Sequence, residues 1–252
     1  MCLVLLALDA HPRYALVLAA NRDEFHRRPA LPADWLAPGL LGGRDLEGGG
    51  TWLGLRRDGR FALVTNFREP GRPRTGAPSR GRLPLRVLED PRPPATALEA
   101  LLPDLERSHG CNLLAGSPEG VCFASSHAPG VHPLEPGIHG LSNHLLDTPW
   151  PKVARGRRAL ASWIEEDGTP EGLFALLGDR REAPDAELPR SGVSLDWERR
   201  LSPAFIVSPD YGTRCSTVLL LGRDGEARFH ERSFGTEGQL LGERRFQFPL
   251  ED

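Results

Sequence analysis

Lysine is almost absent from this chain. Among 31 Lys and Arg residues Lys152 is the only lysine, which reads first as a coding bias toward arginine and only second as chemistry. Charge of one sign is also missing: 34 acidic residues leave a formal net charge of −3. That gives no global attraction toward nucleic acid or an anionic membrane. No apolar run approaches the roughly 20 residues that span a bilayer. The opening "MCLVLLALDA" has no basic leader, and Asp9 and then Asn21 to Glu24 interrupt any signal pattern. The expectation is a soluble, cytoplasmic protein. The four cysteines, Cys2, Cys111, Cys122 and Cys215, form no CxxC pair, so neither a zinc ribbon nor a thioredoxin-type site is suggested. In a reducing compartment they are expected as free thiols, three of them serving as small buried apolar groups. The stretch "GGRDLEGGGTWLG" lacks the Lys-Ser/Thr end of a phosphate loop and the strand-to-helix context of a dinucleotide fingerprint. Its glycines are read as permitting a tight turn, and no cofactor or resident metal is expected.

Turns and strands are what the chain has in quantity. Its 28 glycines and 24 prolines are spread throughout, with no low-complexity tract and no linker, which predicts one domain over residues 1–252. "CLVLLAL" and "YALVLAA" are continuous apolar runs of strand length, as expected of strands covered on both faces. Hairpins are predicted around Asp58-Gly59, between "CNLLAG" and "GVCFASS", and around Asp224-Gly225. Helices are predicted at "LPLRVLED", "ATALEALLPDLERS", "WPKVARGRRALASWIEE" and "TPEGLFALLGD", the last with Thr169 as N-cap before Pro170. Hairpins, helices, a hairpin, helices and a final hairpin make a layered α+β sandwich of antiparallel sheets, not a doubly wound nucleotide-binding fold.

The cluster Asn21-Arg22-Asp23-Glu24 follows one apolar run directly. If Asp9 and Tyr14 face each other across the first turn, Cys2 falls opposite residues 20 to 22. The same reasoning on the Asp58-Gly59 hairpin sets Thr51 opposite Asn66. Both hairpins then carry polar residues to the rim of a sheet, where a scaffold presents a site. Cys2 has a particular chemical meaning, because a methionine before so small a residue is normally removed. One residue then holds an amine of pKa about 8 and a thiol of about 8.5, a nucleophile with its own general base. Arg22 would favour the thiolate, and Asp23 would hold the amine or a substrate nitrogen. Asn66 or Asn143 could donate to an oxyanion. The plain alternative is that Cys2 starts a strand and the charged cluster is a salt-bridged turn.

Two further groupings stand out. Between Arg56 and Arg86, nine arginines face only Asp58 and Glu69, and Arg72, Arg74, Arg80 and Arg82 lie in the irregular "REPGRPRTGAPSRGR". Either this segment binds an anionic group, such as a haem propionate or a coenzyme A phosphate, or it is a solvated loop. His109, Cys111, Cys122, His127, His132, His139 and His144 crowd one span without matching a ligand motif. They read as strand and loop residues, with His144 near the site because it follows Ser142-Asn143. Trp52 either stacks on a ligand or fills the core.

The motifs "MC", "NRDEF", "GGRD", "GGTWLG", "TNF", "SRG", "NLL", "SNHLLDTPWPK" and "YGTRCSTV" together resemble the NRDE family, whose animal members are called transport and Golgi organisation proteins. The resemblance runs from Met1 to about Leu221. It implies an αββα sandwich of the N-terminal-nucleophile (Ntn) hydrolase type, similar to the cysteine-type bile-salt and penicillin acylases. By that likeness Cys2 matches the nucleophile, Arg22 and Asp23 the Arg and Asp pair, Asn66 and Asn143 the two asparagines, and Arg214 the late arginine. Unlike the acylases, the pair is adjacent here, so on a strand the two side chains point to opposite faces unless it bulges or ends. The expected site is lined by Cys2, Arg22, Asp23, Asn66, Asn143 and Arg214. Asn21, Thr51, Trp52, Arg72, Arg74, Arg80, Arg82 and His144 are expected to touch a small-molecule substrate. Two functions follow: hydrolysis of an amide in a small acylated substrate, or carriage of haem or acyl-coenzyme A, to whose metabolism the resemblance also points.

Overall fold

The computed structural model describes residues 3–71 and 76–251. Thirteen strands and five α-helices make up the described chain. The strands are β1 (Leu3–Leu8), β2 (Tyr14–Phe25), β3 (Ala30–Ala37), β4 (Leu40–Asp45), β5 (Leu53–Arg56), β6 (Phe61–Asn66), β7 (Cys111–Ser117), β8 (Gly120–Ser125), β9 (Ala128–Pro133), β10 (Gly137–Leu141), β11 (Tyr211–Gly222), β12 (Glu226–Phe234) and β13 (Leu240–Pro249). The helices are α1 (Arg82–Glu89), α2 (Pro94–Arg107), α3 (Pro151–Glu165), α4 (Pro170–Leu177) and α5 (Leu195–Arg200). One sheet runs β10-β1-β2-β11-β12-β13, the other β3-β4-β5-β6-β7-β8-β9, and every pairing is antiparallel.

The continuous apolar runs explain the layers. Along β2, Leu16, Leu18 and Ala20 pack into the cluster between the sheets, whereas Val17 and Ala19 pack with Val153 and Leu160 of α3 and Leu173 of α4. A strand whose alternate residues meet a sheet and a helix layer must be apolar at every position. On the other side, Ala62 and Val64 of β6 and Leu113 of β7 pack beneath α1 and α2. The result is the expected αββα sandwich. Each fully buried leucine contributes about 1.5–3 kcal/mol of transfer free energy, and such leucines are found in all three clusters.

Several expectations shift in detail. The first hairpin has Leu3 opposite Asn21 and Leu8 opposite Leu16, one residue from the predicted register, because Asp9 takes a left-handed turn conformation at φ 49°. The Asp58-Gly59 hairpin pairs Leu53 with Leu63, also one residue off. Thr169 stands at the N-cap of α4 without a side-chain cap bond. Cys111 and Cys215 are buried among apolar neighbours, and Cys122 is partly so.

Candidate active-site cleft

Strand β2 does not stop at the charged cluster. Asn21 to Phe25 stay in the strand and pair with β11, which places Asn21, Arg22 and Asp23 at 0%, 4% and 2% exposure. Buried charge is costly unless it is paired or hydrogen-bonded, and each of these side chains has a dedicated arrangement. Arg22 lies over the Trp52 ring at 4.5 Å and donates to Asp45 at 3.4 Å. Asp23 accepts from the Thr213 hydroxyl at 2.7 Å, and that hydroxyl in turn accepts the Ile206 N–H at 2.9 Å. Asn21 donates to the carbonyls of Leu177 and Ala204 and accepts from the Ser216 hydroxyl.

The strand irregularity expected here falls on the partner. Asp23 faces Thr213 and Arg22 faces Cys215, so Arg214 is the extra residue of a bulge in β11. Strand β2 itself runs without a bulge at Arg22 and Asp23, and both residues nevertheless line one cleft at its end. Arg214 points one nitrogen at the carbonyls of Phe25, His26 and Arg28, at 3.0–3.1 Å, and fastens the turn that follows the cluster. Burial and the nearby Arg22 hold its guanidinium below the usual arginine range.

A cleft of about 380 Å³ opens beside this cluster, within the size range of small-molecule sites. Arg22, Asp23, Thr51, Trp52, Asn66 and Arg80, all expected from sequence, line it. Thr51 is pinned by its N–H to Gly81 O and its hydroxyl to Leu53 O, and Arg80 donates to Gly110 O. Asn143 stands behind Asn66, donating to its carbonyl at 3.0 Å, while its own carbonyl accepts the Arg68 N–H.

Other expected residues are not brought to this cleft. Asn21 does not line it, and its amide clasps the backbone at Leu177 and Ala204. Arg82 begins α1 and is also off the wall. His144 faces Thr148 at 2.9 Å and packs against Phe67 and Trp150, where burial and His127 lower its pKa. Of the other histidines in that span, His109 lines the cleft, whereas His127 stacks on Phe67 at 3.7 Å and pairs with Glu69, and His139 pairs with Asp147. Cys2, Arg72 and Arg74 lie outside the described residues.

Asp45 is the residue that sequence reasoning missed. Its Oδ1 accepts the N–H groups of Glu47 and Gly48, and its Oδ2 accepts from Arg28 at 2.8 Å and from Arg22. Burial pushes its carboxyl up, but the Gly48 N–H and the Arg28 guanidinium outweigh burial and hold it below the usual carboxylate range. The signal was present in "GGRD", an Asp directly ahead of a turn, where such side chains accept backbone N–H bonds.

A model of the family described as Transport and Golgi organisation 2 matches residues 1–236. A Transport and Golgi organization protein 2 homolog from Bos taurus is 34% identical over 263 residues, covering 92% of this chain and 93% of the relative. The Homo sapiens homolog is 32% identical over 276 residues and covers both chains fully. Among solved structures, a Caenorhabditis elegans N-acylethanolamine-hydrolyzing acid amidase ortholog superposes with a TM-score of 0.51 at 13% identity, covering 87% of this chain and 92% of that one. A conjugated bile acid hydrolase from Clostridium perfringens gives 0.52 at 9% identity, covering 98% and 92%. At these identities the structural likeness is one of fold.

Proposed function

The chain belongs to the Transport and Golgi organisation 2 family, and from that premise we propose that it is an N-terminal-cysteine hydrolase acting on an amide bond of a small acylated substrate. The observation that carries this reading is the buried Arg22-Asp23 pair beside the start of β1. Leu3, which follows Cys2 in the chain, lies opposite Asn21, and the two charged residues come next along β2 in the wall of the cleft. The amidase and bile acid hydrolase that share the fold support a hydrolase over other enzyme classes.

In this reading the Cys2 amine takes the thiol proton, and the thiolate attacks the amide carbon, with Arg22 favouring the anion. The carbonyl oxygen becomes an oxyanion, to which the Asn66 amide donates from the cleft wall and the second N–H of Asn143 is the nearby candidate. Asp23 holds the Cys2 ammonium that results. The C–N bond then breaks, the leaving nitrogen takes the proton, and an acyl thioester remains on sulfur. Water adds to the thioester and returns the thiol, giving overall one carboxylic acid and one amine per water consumed. Asp45 and Trp52 hold the Arg22 guanidinium in place throughout.

The test is a panel of N-acyl amides assayed with the wild-type protein and with Cys2→Ala. Turnover of at least one member, reduced a thousandfold or more in a variant with an unchanged melting temperature, is the expected result. A panel hydrolysed equally by both proteins, or by neither, would remove the reading. In the second case the alternative is a carrier of haem or acyl-coenzyme A.

A further inference from the structure

A second cleft, of about 490 Å³, lies against the far side of the Arg22 and Trp52 wall. Those two side chains line both clefts, but the remainder of the second comes from β3, β11, β12 and β13 and has a different character. One part is apolar: Leu31, Pro32, Phe234 and Leu241. Leu31 is 50% and Leu241 65% exposed, an unfavourable display for large aliphatic side chains grouped around a concavity.

The other part carries surplus positive charge. Arg22, Arg214 and Arg244 all line the cleft, and only Arg22 is ion-paired, to Asp45, among the described residues. The acids present do not balance them. Glu243 is committed to Arg232 and Arg245. Glu231 is 1% exposed, accepts from the Ala33 N–H and the Thr217 hydroxyl, and burial pushes its carboxyl up, toward the neutral form. Within the same wall Arg22 Nη1 and Trp52 Nε1 are buried donors without an acceptor among the described residues, an arrangement that an added acceptor would relieve. Crowded cations beside uncovered apolar surface are complementary to a molecule that offers the converse.

We propose that the second cleft binds a small amphiphilic carboxylate, its anionic group met by Arg214 and Arg244 beside Arg22, and its apolar body lying on Leu31, Pro32, Phe234 and Leu241. The site goes beyond the hydrolase reading, because binding there requires no turnover and no contribution from Cys2. Through Arg22 and Trp52 an occupant shares a wall with the first cleft.

Isothermal titration of the full-length protein with decanoate, decan-1-ol and butanoate tests this directly. Decanoate is expected to bind with one-to-one stoichiometry and at least tenfold more tightly than either comparator, since one lacks the charge and the other the apolar body. Arg244→Gln is expected to weaken decanoate about tenfold while leaving decan-1-ol unchanged, and Leu241→Ser to weaken both. Both positions are exposed, so the variants are expected to fold, and melting temperatures check that. No decanoate binding, equal affinity for decanoate and decan-1-ol, or indifference to both substitutions would overturn the proposal. Because no step involves hydrolysis, this result and the Cys2→Ala result can fail independently.

Discussion

At Asp45 a single carboxylate oxygen serves two guanidinium groups, Arg28 at 2.8 Å and Arg22 at 3.4 Å. Replacing it by Asn keeps the shape but deprives Arg22, 4% exposed, of its ion-pair partner. Breaking a buried pair from one side costs about 3–5 kcal/mol; Arg28 and solvent reach part of this one, so Asp45→Asn is expected to lose about 3 kcal/mol in urea unfolding at pH 7. The pH dependence has a definite sign. The Asp45 carboxyl is held low in the folded protein, so its contribution is present above the unfolded pKa of about 3.9 and is lost as pH falls through the lower folded value. The gap between wild type and variant should therefore shrink in acid. A gap that is the same at neutral and acid pH would show that the carboxylate charge is not what matters.

Strand β4 and the residue just ahead of β5 meet at a contact that a single methyl group tests. A Cβ on Gly43 would lie 2.0 Å from Cζ2 of Trp52, so the glycine is what lets the indole sit flat under Arg22. Gly43→Ala is expected to cost about 1–3 kcal/mol by overpacking and to displace Trp52, read as a shifted tryptophan emission; an unchanged spectrum and stability would mean that the indole has room to move. The elements also show where sequence patterns inform and where they fail. The apolar runs of β1 and β2 and the Asp-Gly turns were legible because covered strands and tight turns each impose a local composition. Strands β3 and β4 were not, since Pro32, Pro38, Gly39, Gly42 and Gly43 look like loop, although β3 is an edge strand, where proline is tolerated. The bulge at Arg214 was invisible for another reason: nothing local marks the extra residue, and only its pairing with β2 reveals it.

Across the whole molecule the six-stranded sheet is assembled by pairings far apart in sequence, β1 with β10 and β2 with β11, whereas the seven-stranded sheet follows chain order from β3 to β9. The layer order could be read from the succession of hairpins and helices, but not which hairpin joins which sheet. The candidate site divides in the same way. Arg22, Asp23, Thr51, Trp52, Asn66 and Arg80 were legible because motif and register both pointed to them, and they share the cleft. Asn21 falls outside that cleft because its carbonyl partners, Leu177 and Ala204, come from distant segments that no local pattern marks. Since β2 and β11 are central, paired on both sides and covered on both faces, their amides are expected to exchange most slowly, on the scale of global unfolding. Those of β13, at an edge, should exchange faster. Protection concentrated elsewhere would contradict this account of the core.

Everything catalytic in the proposed mechanism depends on a free amine at Cys2. The most direct measurement is the intact mass of the protein purified from its own host. A mass lighter than the full chain by one methionine residue is predicted, leaving Cys2 with both thiol and amine available. Retention of Met1 would block that amine and contradict the N-terminal-nucleophile mechanism.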